Sequence, residues 1–397
     1  MMPAGGRAAG PRHPLLVGAG VMLIAFNLRP ALSSVGPVLR AIMAGTGLGA
    51  AGAAVLTTLP VLCLGLACVL APGIIRRFGA DRGVLAGTLV IAVGLALRGI
   101  DGLVPLFLGT AVAAVGIGLA NVLLPALVKR DFPRGGGVMT GLYTAMLCLG
   151  AAAGAGLTVP VEAALGRGWP AALAVWAVPA ALAAGIWAPL SRRAPAPPAA
   201  TGPASRLLRD PLAWCVTGFM GLQSSLAYVL FGWLPALLQS RGLSALDAGL
   251  IASVTTLHQA PGALIVATLA ARRRDQQGWI VAVLLATLAA FLALAFGPDA
   301  LRIPASGLLG LGIGGCFGLA LTLIVLRAPD AASAAGLSAM AQGVGYALAS
   351  LGPLGFGLAH EATDGWVLPA ALFAVIALAA LVPGLGAARP GMVGRRS

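Results

Sequence analysis

Apolar runs of about 18 to 28 residues follow one another along nearly the whole chain, each long enough at 1.5 Å per residue to cross a hydrocarbon layer of roughly 30 Å. Twelve can be read, with approximate limits 15–41, 49–74, 83–100, 103–128, 137–161, 170–190, 212–239, 246–271, 279–297, 303–326, 333–358 and 365–387. With 59% hydrophobic and 9% charged residues and a mean hydropathy of +0.98, the chain cannot cover itself with polar surface. No stretch between the runs is long enough to bury a core of its own. The first run follows Arg7, Arg12 and His13 and so begins like a signal peptide. It is too long for one and is interrupted by Arg29 and Pro30, so it reads as a retained span. The expected fold class is an all-α membrane protein of twelve transmembrane helices.

A formal net charge of +14 raises the question of nucleic acid, and the positions of the basic residues answer it. Apart from Arg29, only Arg40, Arg98, Arg167, Arg241 and Arg302 fall on one side of the expected membrane; the other Lys and Arg fall on the side of the two termini. That bias is the positive-inside pattern, and it predicts cytoplasmic termini in a bacterial inner membrane, with lipid rather than nucleic acid as the surrounding partner. Cys63, Cys68, Cys148, Cys215 and Cys316 lie inside spans without a CxxC pair and read as packing residues, with no metal or other cofactor implied. Trp169, Trp187, Trp214, Trp279 and Trp366 lie near span ends, where an indole prefers the headgroup layer.

The longest interruption, 191–211, is rich in Pro, Ala and Arg and reads as a cytoplasmic linker between halves at 1–190 and 212–397. At an offset of 198 residues Pro37 matches Pro235, Leu39 matches Leu237, and Thr57-Thr58-Leu59 matches Thr255-Thr256-Leu257. Arg76 matches Arg274, Gly109 matches Gly307, Gly116 matches Gly314, and Lys129 meets Arg327. Biased composition is the alternative source of such matches, but they fall at equivalent points of spans 1–4 and 7–10. A duplicated six-span unit gives parallel repeats about an axis along the membrane normal, with a central cavity between halves. Small residues four apart, Gly150 and Gly154 in span 5 and Ala341, Gly345 and Ala349 in span 11, permit close helix contact in lipid.

All Asp and Glu lie in loops or at span ends, which leaves Arg29 and His258 as the ionisable groups near mid-membrane. Pro30 cannot donate to the carbonyl of Phe26, so span 1 is expected to kink or open beside Arg29. Three readings of Arg29 stand: it binds an anion or polarised solute, it satisfies helix carbonyls, or it snorkels outward. Asn27 is two residues away, so only one of the two lines a cavity unless Pro30 distorts the turn. His258, on a face with Thr255 and beside Gln259, is either a proton carrier or a neutral imidazole bonded between helices. Tyr143 with Thr140 and Thr144, Ser224 with Tyr228, and Ser338 with Gln342 and Tyr346 recur at helical spacing and are candidate cavity linings. Asn121, on a face with Gly118 and Pro125, joins them.

The segments Asn27-Leu28-Arg29-Pro30-Ala31-Leu32-Ser33-Ser34-Val35-Gly36-Pro37 and Asn121-Val122-Leu123-Leu124-Pro125-Ala126-Leu127-Val128-Lys129-Arg130-Asp131-Phe132-Pro133 resemble the cyanate permease and nitroimidazole transporter branch of the major facilitator superfamily. The likeness extends through Thr57-Thr58-Leu59-Pro60, Arg76-Arg77-Phe78-Gly79 and Met139-Thr140-Gly141-Leu142-Tyr143, and more loosely through the second half. It implies secondary transport of small, compact solutes such as anions or nitro-heterocycles. The wider superfamily carries an Asp before Arg-Phe-Gly where Arg76 stands, and Asp81 is the nearest acid to replace it. Gly141, Gly150 and Gly154 match the first three glycines of an exporter-associated pattern, while Ala155, Thr158 and Val159 break the rest, so direction stays open.

The expected activity is therefore transport by alternating access, without enzymatic chemistry: three His and no intramembrane acid supply no catalytic cluster. The alternatives are an exporter of neutral drugs or metabolites and a membrane-embedded sensor. The expected partners are a small-molecule substrate, the bilayer and a coupling proton, and the expected state is monomeric. The candidate substrate-binding set is Asn27, Arg29, Asn121, Tyr143, Ser224, Tyr228, His258, Gln259, Gln342 and Tyr346.

Overall fold

The computed structural model describes residues 14–132, 136–191 and 204–394. Most of the expected linker, and the side chains of Arg76, Lys129 and Thr140, lie outside the described residues. Every regular element among the described residues is helical. Eleven helical spans are long and apolar enough to cross a membrane: Pro14–Thr46, Ala50–Leu70, Ala80–Leu97, Leu103–Pro125, Gly141–Leu165, Gly168–Ser191, Pro211–Ser240, Ala245–Ala271, Gln277–Phe296, Asp299–Arg327 and Val367–Ala388. The expected eleventh span completes the twelve as a pair of helices, Ala331–Ala349 and Leu351–Thr363. It is more polar than the others because it carries Ser338, Gln342, Tyr346 and Ser350. We number the spans 1 to 12 in chain order.

The packing repeats. Span 4 lies against spans 2 and 3, as span 10 lies against spans 8 and 9; span 1 packs on spans 5 and 6, as span 7 packs on spans 11 and 12. The halves meet through two equivalent pairs, span 2 with span 11 and span 5 with span 8, and through span 1 with span 7. Thr57 and Thr255, matched in sequence, make the same bond: each hydroxyl donates back one turn, to Ala53 O and Ile251 O, at 3.0 Å. Glycine lets the helices touch at backbone level. A Cβ at Gly310, Gly314 or Gly318 of span 10 would overlap the carbonyls of Thr255, Gln259 and Ala263 on span 8.

Span 1 breaks where expected. Its pieces are Pro14–Asn27, Pro30–Ser33 and Val35–Thr46, and Arg29 precedes the middle piece with φ −117° and ψ −30°. The missing Pro30 N–H frees the carbonyl of Phe26, which rests on Gly150 of span 5. Pro30 and Ser33 rest on Gly154 one turn later. The small-residue pair of span 5 is thus the seat of the broken turn.

At the end of the bundle where the described residues begin and end, at Pro14 and Gly394, hereafter the terminal face, an arginine closes each half. Arg130 donates to Asp81 at 2.6 and 3.1 Å and to Asp131 at 2.7 Å, so Asp81 does replace the missing loop acid. These carboxylates, Asp131 foremost, push the Arg130 pKa further up. Arg327 donates to the carbonyls of Ala387 and Ala388 and to Gln276, tying span 10 to spans 9 and 12. Two sequence expectations are corrected here. Trp187 is wholly buried rather than in a headgroup belt, because its Nε1–H donates to Asp81 O at 3.0 Å. Arg98 does not face outward: it is 0% exposed and donates from Nη1 to Ala31 O at 2.8 Å, in the broken turn of span 1.

Gly150→Val is expected to lower stability by about 3 kcal/mol, because the added methyls have no space against Phe26. Gly141→Ala, where a Cβ meets nothing within 4 Å, is expected to stay within about 1 kcal/mol of wild type. Thermal unfolding of both variants in detergent checks the contrast.

Candidate functional site

On the face opposite the termini, the distal face, the halves close on one another. Gly36 lies against the carbonyls of Phe231 and Gly232, Gly249 against the carbonyl of Ala155, Gly156 against Ser253, and Gly357 against Ala54 and Trp233. Gln239 Nε2 donates to Pro37 O at 3.3 Å across the same seam. On the terminal side of that seam lies a central cavity of about 570 Å³ counting the open space at its mouth. About 40 Å³ of it accepts the centre of a water-sized molecule, room for a compact solute of a few heavy atoms.

Six spans build the wall. Span 5 contributes Thr144, Leu147, Cys148 and Ala151, a stripe at steps of three and four; span 7 contributes Gln223, Ser224, Ala227, Tyr228 and Phe231 by the same periodicity. Gln259 and Ala263 come from span 8, Ile313, Gly314 and Phe317 from span 10, and Tyr346 from span 11. The break in span 1 delivers Arg29. Its guanidinium lies over the ring of Phe231, 5.7 Å from the centroid, and has no hydrogen-bond or ion-pair partner among the described residues. No Asp or Glu lines the cavity, so Arg29 is its one formal charge among the described residues.

The rest of the wall is aromatic and hydrogen-bonding. Tyr228 stands edge-on to both Phe231 and Tyr346, with 6.0 Å between centroids in each pair. Gln223 Nε2 donates to Ser224 Oγ at 2.7 Å and to Met220 O at 3.1 Å, while its buried Oε1 lacks a partner among the described residues. At an effective dielectric near 20, an anion about 4 Å from Arg29 gains about 4 kcal/mol, comparable with the roughly 3 kcal/mol cost of holding an arginine at mid-membrane. The site is therefore complementary to a small anion or to the electron-rich end of a dipole.

Residues 15–353 match the family model of the Major Facilitator Superfamily. The chain belongs to that superfamily. It is 39% identical over 382 residues to the 2-nitroimidazole transporter of Escherichia coli strain K12, covering 95% of this chain and 96% of the relative. It is 37% identical to the uncharacterized transporter YycB of Bacillus subtilis strain 168, over 93% and 92% of the two chains. The cyanate transport protein CynX of Escherichia coli K12 is 31% identical over 91% and 94%. In structure the chain resembles the nucleoside transporter NupG, with a TM-score of 0.72 at 13% identity over 94% and 98% of the two chains. It also resembles a bacterial Spinster homologue in an inward-facing, unoccupied state, with a TM-score of 0.71 at 14% identity over 97% and 96%. The protein is thus a facilitator-type transporter of a small solute in the branch of the cyanate and nitroimidazole transporters, a multi-pass inner-membrane protein and not an enzyme.

Of the ten candidate residues, this transporter brings Arg29, Ser224, Tyr228, Gln259 and Tyr346 to the cavity wall. The other five lie outside that wall. Asn27 turns away and donates to Leu23 O at 2.7 Å and Pro179 O at 3.1 Å, which leaves the cavity to Arg29. Asn121 is on the side of span 4 where Gly118 abuts Leu64 and Ala67 of span 2. Tyr143, at the edge of the span 5 stripe, is not part of the wall itself but packs against the cluster that includes Tyr228, Phe231 and Tyr346, and its neighbour Thr144 lines the cavity. His258 sits in the seam between spans 8 and 10, against Gly307 and Gly310, with Nδ1–H donating to Val254 O at 2.8 Å. Gln342 donates to Ser338 Oγ at 2.8 Å, one turn nearer the terminal face than Tyr346.

Sequence reasoning missed Gln223, whose run Gln223-Ser224-Ser225 in the middle of an apolar span was the available signal. It also missed Phe231 and Phe317, which look like any lipid-facing phenylalanine, and assigned Cys148 to packing. Tyr346→Phe removes a hydroxyl with no partner among the described residues and is expected to raise the substrate KM about tenfold at unchanged unfolding temperature. His258→Phe is expected to leave KM unchanged. Initial-rate uptake in proteoliposomes checks both.

Proposed function

We propose that the chain is a secondary transporter that carries a compact anion, or a polarised molecule such as a nitro-heterocycle, by rocking of its two halves about the Arg29 cavity. The observation that carries this reading is the unpaired guanidinium of Arg29, held at the broken turn of span 1 in a wall without carboxylates. The names of two relatives, a cyanate and a 2-nitroimidazole transporter, agree with that chemistry. In this reading Arg29, Ser224, Tyr228, Gln259 and Tyr346 bind the substrate, with Gln223 and Thr144 added. The moving units are 1–190 and 212–397, joined by the linker at 191–211. The protein works as a monomer with cytoplasmic termini, as its basic residues favour. The terminal face is then the cytoplasmic one, and the distal seam makes this an inward-facing state.

The aromatic wall favours a second reading, export of neutral flat rings stacked on Phe231 and Tyr228. Uptake of cyanate and of a neutral nitroimidazole by proteoliposomes separates the two. Arg29→Ala is expected to lower cyanate kcat/KM about a hundredfold, the equivalent of about 2.7 kcal/mol, and Arg29→Lys to recover part of it. Normal cyanate transport by Arg29→Ala would sink the anion reading, while loss of ring transport alone would favour the second.

Among the described residues the wall holds neither carboxylate nor imidazole, so a coupling proton has to ride on the substrate or on a group beyond the wall. Accumulation driven by a pH gradient is expected to be the same in wild type and His258→Asn. A collapsed accumulation ratio in the variant would return His258 to the transport cycle.

A further inference from the structure

We propose that Arg98 is a second anion-binding residue, on the distal side of a partition formed by Tyr228 and Phe231, which meets a small anion before Arg29 does. The proposal rests on the anion reading of the central cavity. Arg98 ends span 3 and is 0% exposed. Nη1 donates to Ala31 O at 2.8 Å, while Nε is buried without a partner among the described residues. No carboxylate among the described residues answers its charge there. A guanidinium so placed loses its water without gaining an opposite charge, and beyond the single carbonyl bond a counter-ion is the partner that would compensate it.

The void beside Arg98 is lined by Thr57, Thr110, Tyr228, Phe231 and Gly232. Tyr228 and Phe231 also line the Arg29 cavity, so the same two rings stand between the two arginines. The hydroxyls of Thr57 and Thr110 donate to carbonyls of their own helices, at Ala53 and Leu106, which leaves the arginine as the cationic donor of the void. In this state the void offers about 10 Å³ to a water-sized molecule, the room of a single water. An anion therefore enters only when the distal seam at Gly36 and Gly232 parts.

The two arginines also meet on one short segment. Arg29 precedes Pro30–Ser33, and Arg98 bonds the Ala31 carbonyl inside it. An anion that takes the Nη1 donor from Ala31 loosens that turn on the distal side, so arrival of substrate and release of the turn become one event. An arginine that merely staples span 3 to span 1 would be indifferent to the charge of the solute.

That difference is the test. Initial uptake from the distal side is measured in vesicles of uniform orientation, with cyanate and with a neutral N-alkylated nitroimidazole. Arg98→Gln is expected to raise the cyanate KM about tenfold and leave the neutral solute within about threefold; Arg98→Lys, which keeps the charge and secures the measurement if the first variant does not fold, is expected to fall between. Equal changes for both solutes, or none, would overturn the role of Arg98.

A second measurement needs no transport. The unfolding temperature of Arg29→Ala is expected still to rise as cyanate is added, and that rise is expected to vanish in Arg29→Ala/Arg98→Gln. Identical titrations of the two proteins would overturn the proposal for Arg98 while leaving that for Arg29 intact. Loss of cyanate transport in wild type, with the Arg98-dependent rise preserved, would instead remove the central-cavity reading alone.

Discussion

The seating of the broken turn of span 1 on the glycines of span 5 is the contact on which the transport site depends. Pro30 removes one backbone donor, the carbonyl of Phe26 is left over, and only a residue without a side chain at Gly150 allows that carbonyl to reach the neighbouring helix. The break turns Arg29 toward the cavity while Asn27, two residues earlier, faces span 6. Here the proline sets the defect, and the glycines fix where it points.

Around that point the duplicated scaffold supplies symmetric support for an asymmetric function. The pairs formed by spans 2 and 11 and by spans 5 and 8 are equivalent under the repeat and form the surfaces along which the halves meet. The chemistry does not repeat. Arg29 corresponds to Ala227, which also lines the cavity, and His258 corresponds to Pro60. Even matched glycines have diverged: Gly109 packs on Gly94 within its half, whereas Gly307 makes room for the imidazole of His258. The repeat supplies matching helix contacts, while the side chains that line the cavity differ between its two halves.

Depth in the membrane was legible from composition, but the direction of a side chain was not. Arg29 was legible because an arginine beside a proline in an apolar run has few structural explanations. Ser224, Tyr228, Gln259 and Tyr346 were legible as polar residues on helical stripes. Asn27, Asn121, Tyr143, His258 and Gln342 carried the same signals at similar depth, yet none lines the cavity: Asn27, His258 and Gln342 bond to a helix carbonyl or a neighbouring hydroxyl, and Tyr143 packs on a hydrophobic cluster. Arg98 shows the converse. Its place at the end of span 3 said loop, yet its long side chain folds back into the interior to reach the Ala31 carbonyl in the broken turn of span 1.

By itself the sequence determined the solvent, the helices and their number, the duplication, and the position of the break in span 1. These follow from hydropathy, chain length and the missing proline donor, all of them properties of local sequence. Only the tertiary structure decided that Arg29 and not Asn27 reaches the cavity wall, that His258 packs between spans 8 and 10, and that the same two aromatic rings line the voids of a central arginine and a distal one. Those outcomes depend on the rotation of each helix about its axis, and in a bilayer that rotation is set by which small residues admit a neighbour's backbone, a property of pairs of helices that no single span encodes.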